Sequence, residues 1–249
     1  EHNEISTMNY RSLNNDQISH FREHGYVRIG KFLDDDLVEK LRTEYDRLFA
    51  EARTTGEYRN LAIDDTDDTK AKHEAKGQML QIMRVCERSI IFRELVYDAR
   101  ILDIAEDLIG PNIQLYHDQA LWKPARNGES VFWHQDNAYF QCLPAQLVSC
   151  WLTLDDVDAD NGAMRVMPGS HLKPIDHERP KDTVLLDMGD QVDESLAEVI
   201  DLPAGGAMFH HCQTWHNTRP NRTDRQRRAF AIHFMQPGTR DKNGDFMEV

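Results

Sequence analysis

The 249 residues are 40% hydrophobic and 29% charged, a balance that supports a buried core and excludes fibrous, low-complexity and disordered chains. Against 29 Lys and Arg stand 43 Asp and Glu, and the formal charge of -14 argues against nucleic acid or an anionic membrane as a partner. No apolar run approaches the roughly 18 residues a membrane span needs, and no apolar leader opens the chain, so a cytoplasmic protein is expected.

Residues 1–12 read as an N-terminal tail, vector-derived or a frayed native end, ahead of a single domain over 13–249. Asn14, Asn15 and Asp16 offer capping side chains to a short helix carrying Ile18 and Phe21, and Gly25 stops it. Residues 26–29 then read as a strand. Asp34, Asp35 and Asp36 place negative charge at the start of a second helix, whose stripe of Leu37, Leu41, Tyr45 and Leu48 shares one face. The acidic, aperiodic stretch 57–77 predicts a loop and a candidate lid. A third helix is predicted from Asp98 to Ile109, with Ile101, Leu102, Ala105, Leu108 and Ile109 inward and Gly110 and Pro111 at its end. From Asn112 the pattern becomes short and β-rich, over 113–122, 131–133, 147–154, 163–167, 207–210 and 228–235, with a long excursion at 171–200. Helices followed by strands predict an α+β fold: a double-stranded β-helix, the jelly-roll or cupin-like kind, from about 112 to 236, flanked by N-terminal helices.

Cys86, Cys142, Cys150 and Cys212 form neither a CxxC pair nor a zinc-finger spacing, and read as free thiols in a reducing compartment. The chemistry concentrates in FWHQDNAYF, residues 132–140. On an extended strand residues i and i+2 point the same way, so His134 and Asp136 would project an imidazole and a carboxylate about 7 Å apart along the chain. A third, distant histidine closes a facial triangle, the two-histidine, one-carboxylate arrangement of iron(II) oxygenases. His216 stands eleven positions before Arg227, which opens a β-like run. A guanidinium there suits the distal carboxylate that 2-oxoglutarate presents after chelating iron through its other end. Arg219, Arg222, Arg225 and Arg228 crowd the same stretch and read as a surface turn. His171, His210, His211 and His233 read as hydrogen-bonded core or surface groups.

These segments resemble the phytanoyl-CoA dioxygenase family. WHQDNAYF (133–140), VSCWLTLDDVDADNGAMRVMPGSH (148–171) and HNTRPNRTDRQRRAF (216–230) occur in the family's order and spacing, and ISHFREHGYVRIGKFL (18–33) looks like its entry helix and strand. The likeness covers residues 13–236. It implies an Fe(II)- and 2-oxoglutarate-dependent dioxygenase using O2, with His134, Asp136 and His216 as iron ligands and Arg227 on the distal carboxylate. Trp151, Thr218, Gln119 and Gln81 would line the co-substrate pocket, the last two where family members often place Met and Lys. Halogenating relatives replace the carboxylate ligand with a small residue; Asp136 is intact, so hydroxylation is expected. Asn161 and Gly162 suit an architectural turn.

His117, Asn137, Tyr139 and Trp215 are candidates for the substrate wall. The net charge favours a small metabolite over polyanionic CoA. Two alternatives remain open at this point: a metal-dependent β-barrel performing isomerisation, since the same ligands accept zinc, and a silent binding module. Oligomeric state is not encoded in any of these patterns.

Overall fold

The computed structural model describes residues 12–64, 66–173 and 175–247, so the tail expected over 1–12 lies, except for Ser12, outside the described residues. Helix α1 (Asn15–His24) opens with a capping box: Asn14 Oδ1 accepts from the Gln17 N–H at 2.9 Å, and Gln17 Oε1 accepts from the Asn14 N–H at 3.0 Å. Gly25 ends it at φ +82°, where a glycine carries no steric cost. After strand β1 (Tyr26–Lys31), Asp34 caps α2 (Asp35–Thr55), which buries Val38, Leu41, Tyr45, Leu48, Phe49 and Ala52. The inward stripe therefore starts at Val38, and Leu37 is only partly covered.

Residues 57–77 are not all loop. They hold strand β2 (Arg59–Asn60) and helix α3 (Thr69–Glu74), elements too short to show a sequence period; Asp68 caps α3, and the Asn60 side chain closes the segment. Asn60 donates to Gly77 O at 3.0 Å and accepts from the Met79 N–H at 3.0 Å. Strand β3 (Leu80–Met83) and helices α4 (Val85–Arg88) and α5 (Ile90–Val96) follow, none of them foreseen. Helix α6 (Ala99–Ile109) begins after its Asp98 cap as expected, with Ile104 fully buried and Leu102 and Leu108 packed at the margin.

The β region comprises β4 (Gln114–Lys123), β5 (Val131–His134), a single helical turn α7 (Asn137–Phe140), β6 (Val148–Thr153), β7 (Met164–Val166), β8 (Glu198–Val199), β9 (Gly206–His211), β10 (His216–Thr218) and β11 (Arg227–Met235). Two sheets form, a seven-stranded one ordered β1-β9-β6-β11-β4-β3-β2 and a four-stranded one ordered β5-β10-β7-β8, as a jelly-roll core requires. Both faces of the larger sheet are covered. Val148, Cys150, Leu152, Phe230, Ile232 and Phe234 turn outward against the helices, and Trp151, Ala229 and Ala231 turn inward toward the smaller sheet. Each fully buried large apolar side chain contributes about 1.5–3 kcal/mol, so the helical layer anchors the sheet whose inner face carries the chemistry. Small inner residues such as Ala231 leave room between the sheets.

The excursion 171–200 carries three 3-10 turns and the Glu178–Asp187 bridge, and folds back on β5 through the Met188 N–H to Trp133 O at 3.0 Å. At the Asn161–Gly162 turn, Asn161 accepts from the Asp158 N–H at 2.9 Å and donates to Asp156 O at 2.8 Å, and Gly162 sits at φ +89°. Among the described residues no helix is long and apolar enough to cross a membrane, and the four cysteines are free.

Candidate active site

His134 and His216 are cross-strand partners in the smaller sheet, with ring centroids 4.1 Å apart. Asp136 does not reach them by strand alternation. Strand β5 ends at His134, and Asp136, at φ -53° and ψ -38°, is the entry residue of α7, so the chain bends and carries the carboxylate back. Asp136 Oδ1 lies 3.5 Å from His216 Nε2 and 3.8 Å from His134 Nε2, closer than an extended backbone would bring it. One ligand atom from each residue lies within 4.8 Å of the others, and all three residues are buried.

The tautomers suit a metal. His134 Nδ1 is 2.8 Å from Phe132 O and His216 Nδ1 is 2.9 Å from Thr214 O; each Nδ1–H donates to a carbonyl and leaves Nε2 free for a cation. Asp136 Oδ2 accepts from Ser149 Oγ at 2.9 Å, which leaves Oδ1 facing the histidines. Burial pushes the His134 imidazole down to about 3, so it is neutral and able to bind metal. Burial alone would raise the Asp136 carboxyl, yet the neighbouring His216 holds it well below the usual carboxylate range.

A cavity of about 820 Å³ opens beside these residues. Arg227, Trp151, Thr218, Gln119 and Gln81 line it, together with His117 and Tyr139. Arg227 is 1% exposed and has no carboxylate partner: Nη1 donates to Leu121 O at 3.0 Å, Nη2 lies 3.7 Å from Met79 Sδ, and Nε has no partner. Thr218 Oγ1, Asn217 Oδ1 and Gln81 Oε1 are likewise buried without partners. Buried polar groups are rarely left unpaired, so an uncompensated guanidinium and a free hydroxyl in the cavity that holds the triad fit a bound dicarboxylate. The other arginines of that segment are all ion-paired: Arg219 with Glu194, Arg222 with Glu129, Arg225 with Asp158, and Arg228 with Asp155 and Asp46.

Two expected wall residues lie elsewhere. Asn137 Oδ1 accepts from the Cys142 N–H at 2.9 Å and closes the α7 turn. Trp215 packs with Trp133, Met167 and Met188 and donates to Lys173 O at 3.2 Å. Asn137 lies in the helical turn that Asp136 opens, and Trp215 precedes β10, so neither shares the inward face of a strand with the ligands. Conversely, His210 and His233, which read as bland core groups, line the cavity outside the ligand cluster, and Ser149 joins them at Asp136. Their inward parity on β9, β11 and β6 was available once those strands were assigned; the direction of the inner face was not. His171 and His211 keep structural roles, bonding Arg22 O at 3.1 Å and the Gln213 N–H at 3.1 Å.

A family model described as phytanoyl-CoA dioxygenase matches residues 21–229. Among curated proteins, the chain is 24% identical over 230 residues to a probable alpha-ketoglutarate-dependent hypophosphite dioxygenase of Stutzerimonas stutzeri, covering 88% of this chain and 77% of that one. It is 27% identical to the peroxisomal phytanoyl-CoA dioxygenase of Mus musculus, over 92% of this chain and 70% of the relative. Among solved structures, the epimerase SnoN in complex with Fe3+, alpha ketoglutarate and nogalamycin RO superposes with a TM-score of 0.75 at 23% identity, over 93% of this chain and 86% of that one.

Proposed function

The chain belongs to the phytanoyl-CoA dioxygenase family of Fe(II)- and 2-oxoglutarate-dependent oxygenases, and from that premise we propose that it hydroxylates a C–H bond of a small organic metabolite with release of succinate and CO2. In this reading His134, Asp136 and His216 hold the iron, Arg227 receives the distal carboxylate of 2-oxoglutarate, and Thr218 and Trp151 wall that carboxylate's pocket. Bound iron and 2-oxoglutarate would supply the electrons that activate O2, which is the oxidant. The chain's own residues aim and insulate it. The Phe132 and Thr214 carbonyls orient the two imidazoles, Ser149 fixes which Asp136 oxygen faces them, and the excursion screens the cavity from water through the Leu186 N–H to Tyr139 Oη at 2.6 Å.

The observation that carries this reading is the buried Arg227 guanidinium, without an acid to pair with, in the cavity that holds the triad. A zinc isomerase or silent module has no need of it. The intact Asp136 carboxylate supports hydroxylation over halogenation, and the ion pairs that occupy the neighbouring arginines support a small metabolite over a CoA thioester. Anaerobic titration with Fe(II) and 2-oxoglutarate should produce a weak visible charge-transfer band in the wild type that needs much more 2-oxoglutarate in Arg227→Ala, and aerobic turnover should yield succinate and a hydroxylated product. Bound iron without the band would return the site to the isomerase reading.

A further inference from the structure

Gln81 and Gln119 are tied to the Asp136 carboxylate by a run of hydrogen bonds that has a direction. Ser149 Oγ lies 2.9 Å from Asp136 Oδ2 and 2.8 Å from His233 Nδ1, His233 Nε2 lies 2.9 Å from Gln119 Nε2, and Gln119 Oε1 accepts from Gln81 Nε2. An ionised carboxylate can only accept, so Ser149 donates to it. The hydroxyl then has only lone pairs left, and His233 must present Nδ1–H. Burial keeps that imidazole neutral, and a neutral ring that donates at one nitrogen accepts at the other. Gln119 therefore turns its NH2 toward His233 and its carbonyl toward Gln81, and Gln81 answers with its own NH2. The negative charge at the metal cluster thus sets the orientation of both amides and leaves Gln81 Oε1 over.

That oxygen has no partner. Gln81 is 9% exposed and lines the cavity, and its Oε1 is buried without a hydrogen bond. A buried carbonyl without a donor is costly until one arrives. 2-Oxoglutarate cannot provide it, because its carboxylates and keto group are all acceptors at neutral pH. We propose that Gln81 Oε1 is a specificity determinant that receives a hydrogen-bond donor, a hydroxyl or an N–H, from the organic substrate, with its orientation enforced by Gln119, His233 and Ser149. The inference deepens the oxygenase reading and rests on it for placing the substrate in this cavity.

The test compares cyclohexanol with cyclohexanone, two probes of one skeleton of which only the first carries a donor, by calorimetry on the anaerobic Fe(II)–2-oxoglutarate protein. The alcohol should bind about tenfold more tightly, the scale set by leaving one buried carbonyl unpaired. In Gln81→Lys the ammonium still donates to Gln119 Oε1 but offers the cavity only donors, so the order should reverse. Should that variant fail to fold, Gln119→Met, which cuts the run and lets the Gln81 amide turn, should lose the preference. Equal binding of the two probes to the wild type, survival of the alcohol preference in Gln81→Lys, or no binding of either probe at about 50 mM, well beyond weak millimolar affinity, each overturns the proposal. The charge-transfer band recorded before any probe is added reports on the oxygenase reading separately: its absence sinks that reading, whereas an intact band with no preference sinks only this one.

Discussion

Arg227→Met exchanges a guanidinium that is 1% exposed for an apolar side chain of similar reach. In the absence of 2-oxoglutarate the wild-type group has given up its hydration for one bond to Leu121 O at 3.0 Å, a 3.7 Å contact with Met79 Sδ and the face of Trp151 at 6.0 Å. Burial pushes its pKa down to about 10, the mark of a charge held in an unfavourable place. Replacing buried charges by apolar packing has stabilised proteins by about 1–4 kcal/mol, and the lost bond to Leu121 O gives back about 1 kcal/mol of that. The variant should therefore be more stable than the wild type by up to about 3 kcal/mol, or up to roughly 12 °C in Tm for a chain of this size.

With 2-oxoglutarate the order reverses. At a hundredfold excess over Kd the ligand stabilises the wild type by about 2.7 kcal/mol. Removing one partner of a buried ion pair costs about 3–5 kcal/mol, so the variant should show no shift at that concentration. Thermal unfolding of the two proteins, loaded anaerobically with Fe(II), with and without 2-oxoglutarate, gives the four melting points needed. The reasoning is wrong if Arg227→Met melts below the wild type without the ligand, or if 2-oxoglutarate raises both proteins equally.

Tyr139→Phe removes the acceptor of the Leu186 N–H and loosens the excursion over the cavity. It should cost only about 1 kcal/mol in stability yet raise KM for the substrate more than it lowers kcat, with faster hydrogen exchange near Leu186. Gly162→Ala would place a Cβ 2.8 Å from Arg219 O at φ +89°, and should cost about 2–4 kcal/mol by denaturant unfolding. In the protein without metal, burial holds His117, His210 and His211 each near about 4, below their ordinary value. Between that value and the unfolded value near 6.5 the unfolded chain binds more protons, so stability should fall with acidification across this window by up to about 1.4 kcal/mol per pH unit per imidazole. His216, raised by Asp136, opposes this as one group against five, since burial lowers His134 and His233 as well, and a denaturant midpoint at pH 5 equal to that at pH 7 would contradict the argument.

The sequence disclosed those parts of the molecule whose information is local. The Asn14 and Asp34 caps, the Gly25 stop and the apolar faces of α1, α2 and α6 are each written within one or two helical turns. Strands β4, β6, β9 and β11 of the larger sheet were visible for a related reason: both of their faces are covered, so they read as apolar runs. The short elements β2, α3 and β10 were not visible, because two to six residues carry no period and their partners are distant in the chain. At the site, the pairing of His134 with His216 is a register between strands that no local pattern contains. Asp136 was chosen correctly for convergence with His134 on a wrong geometry, since a helical turn and not strand alternation brings it in. His233 and Ser149 stayed hidden because their meaning lies in a hydrogen-bond path, which spacing does not show.

That helical turn also explains why the excursion matters to more than access. An extended β5 would keep its backbone paired through Asp136, whereas the bend leaves the peptide groups around it in need of other partners. The excursion supplies them. His177, whose Nδ1 donates to Ile175 O at 3.0 Å, offers Nε2 to the Gln135 N–H at 2.9 Å; the Met188 N–H bonds Trp133 O at 3.0 Å; and Tyr139, at the far side of Asp136, accepts from the Leu186 N–H. Contacts at Trp133, Gln135 and Tyr139 flank both His134 and Asp136 in the chain, so the segment that covers the cavity also braces the two ligands that open it. Displacing the excursion cannot expose the cavity without withdrawing support from the bend, which ties coverage of the site to the geometry of the ligand cluster through these bonds and those of Gln135 Nε2 to Lys173 O and Trp133 Nε1 to Glu194 Oε1.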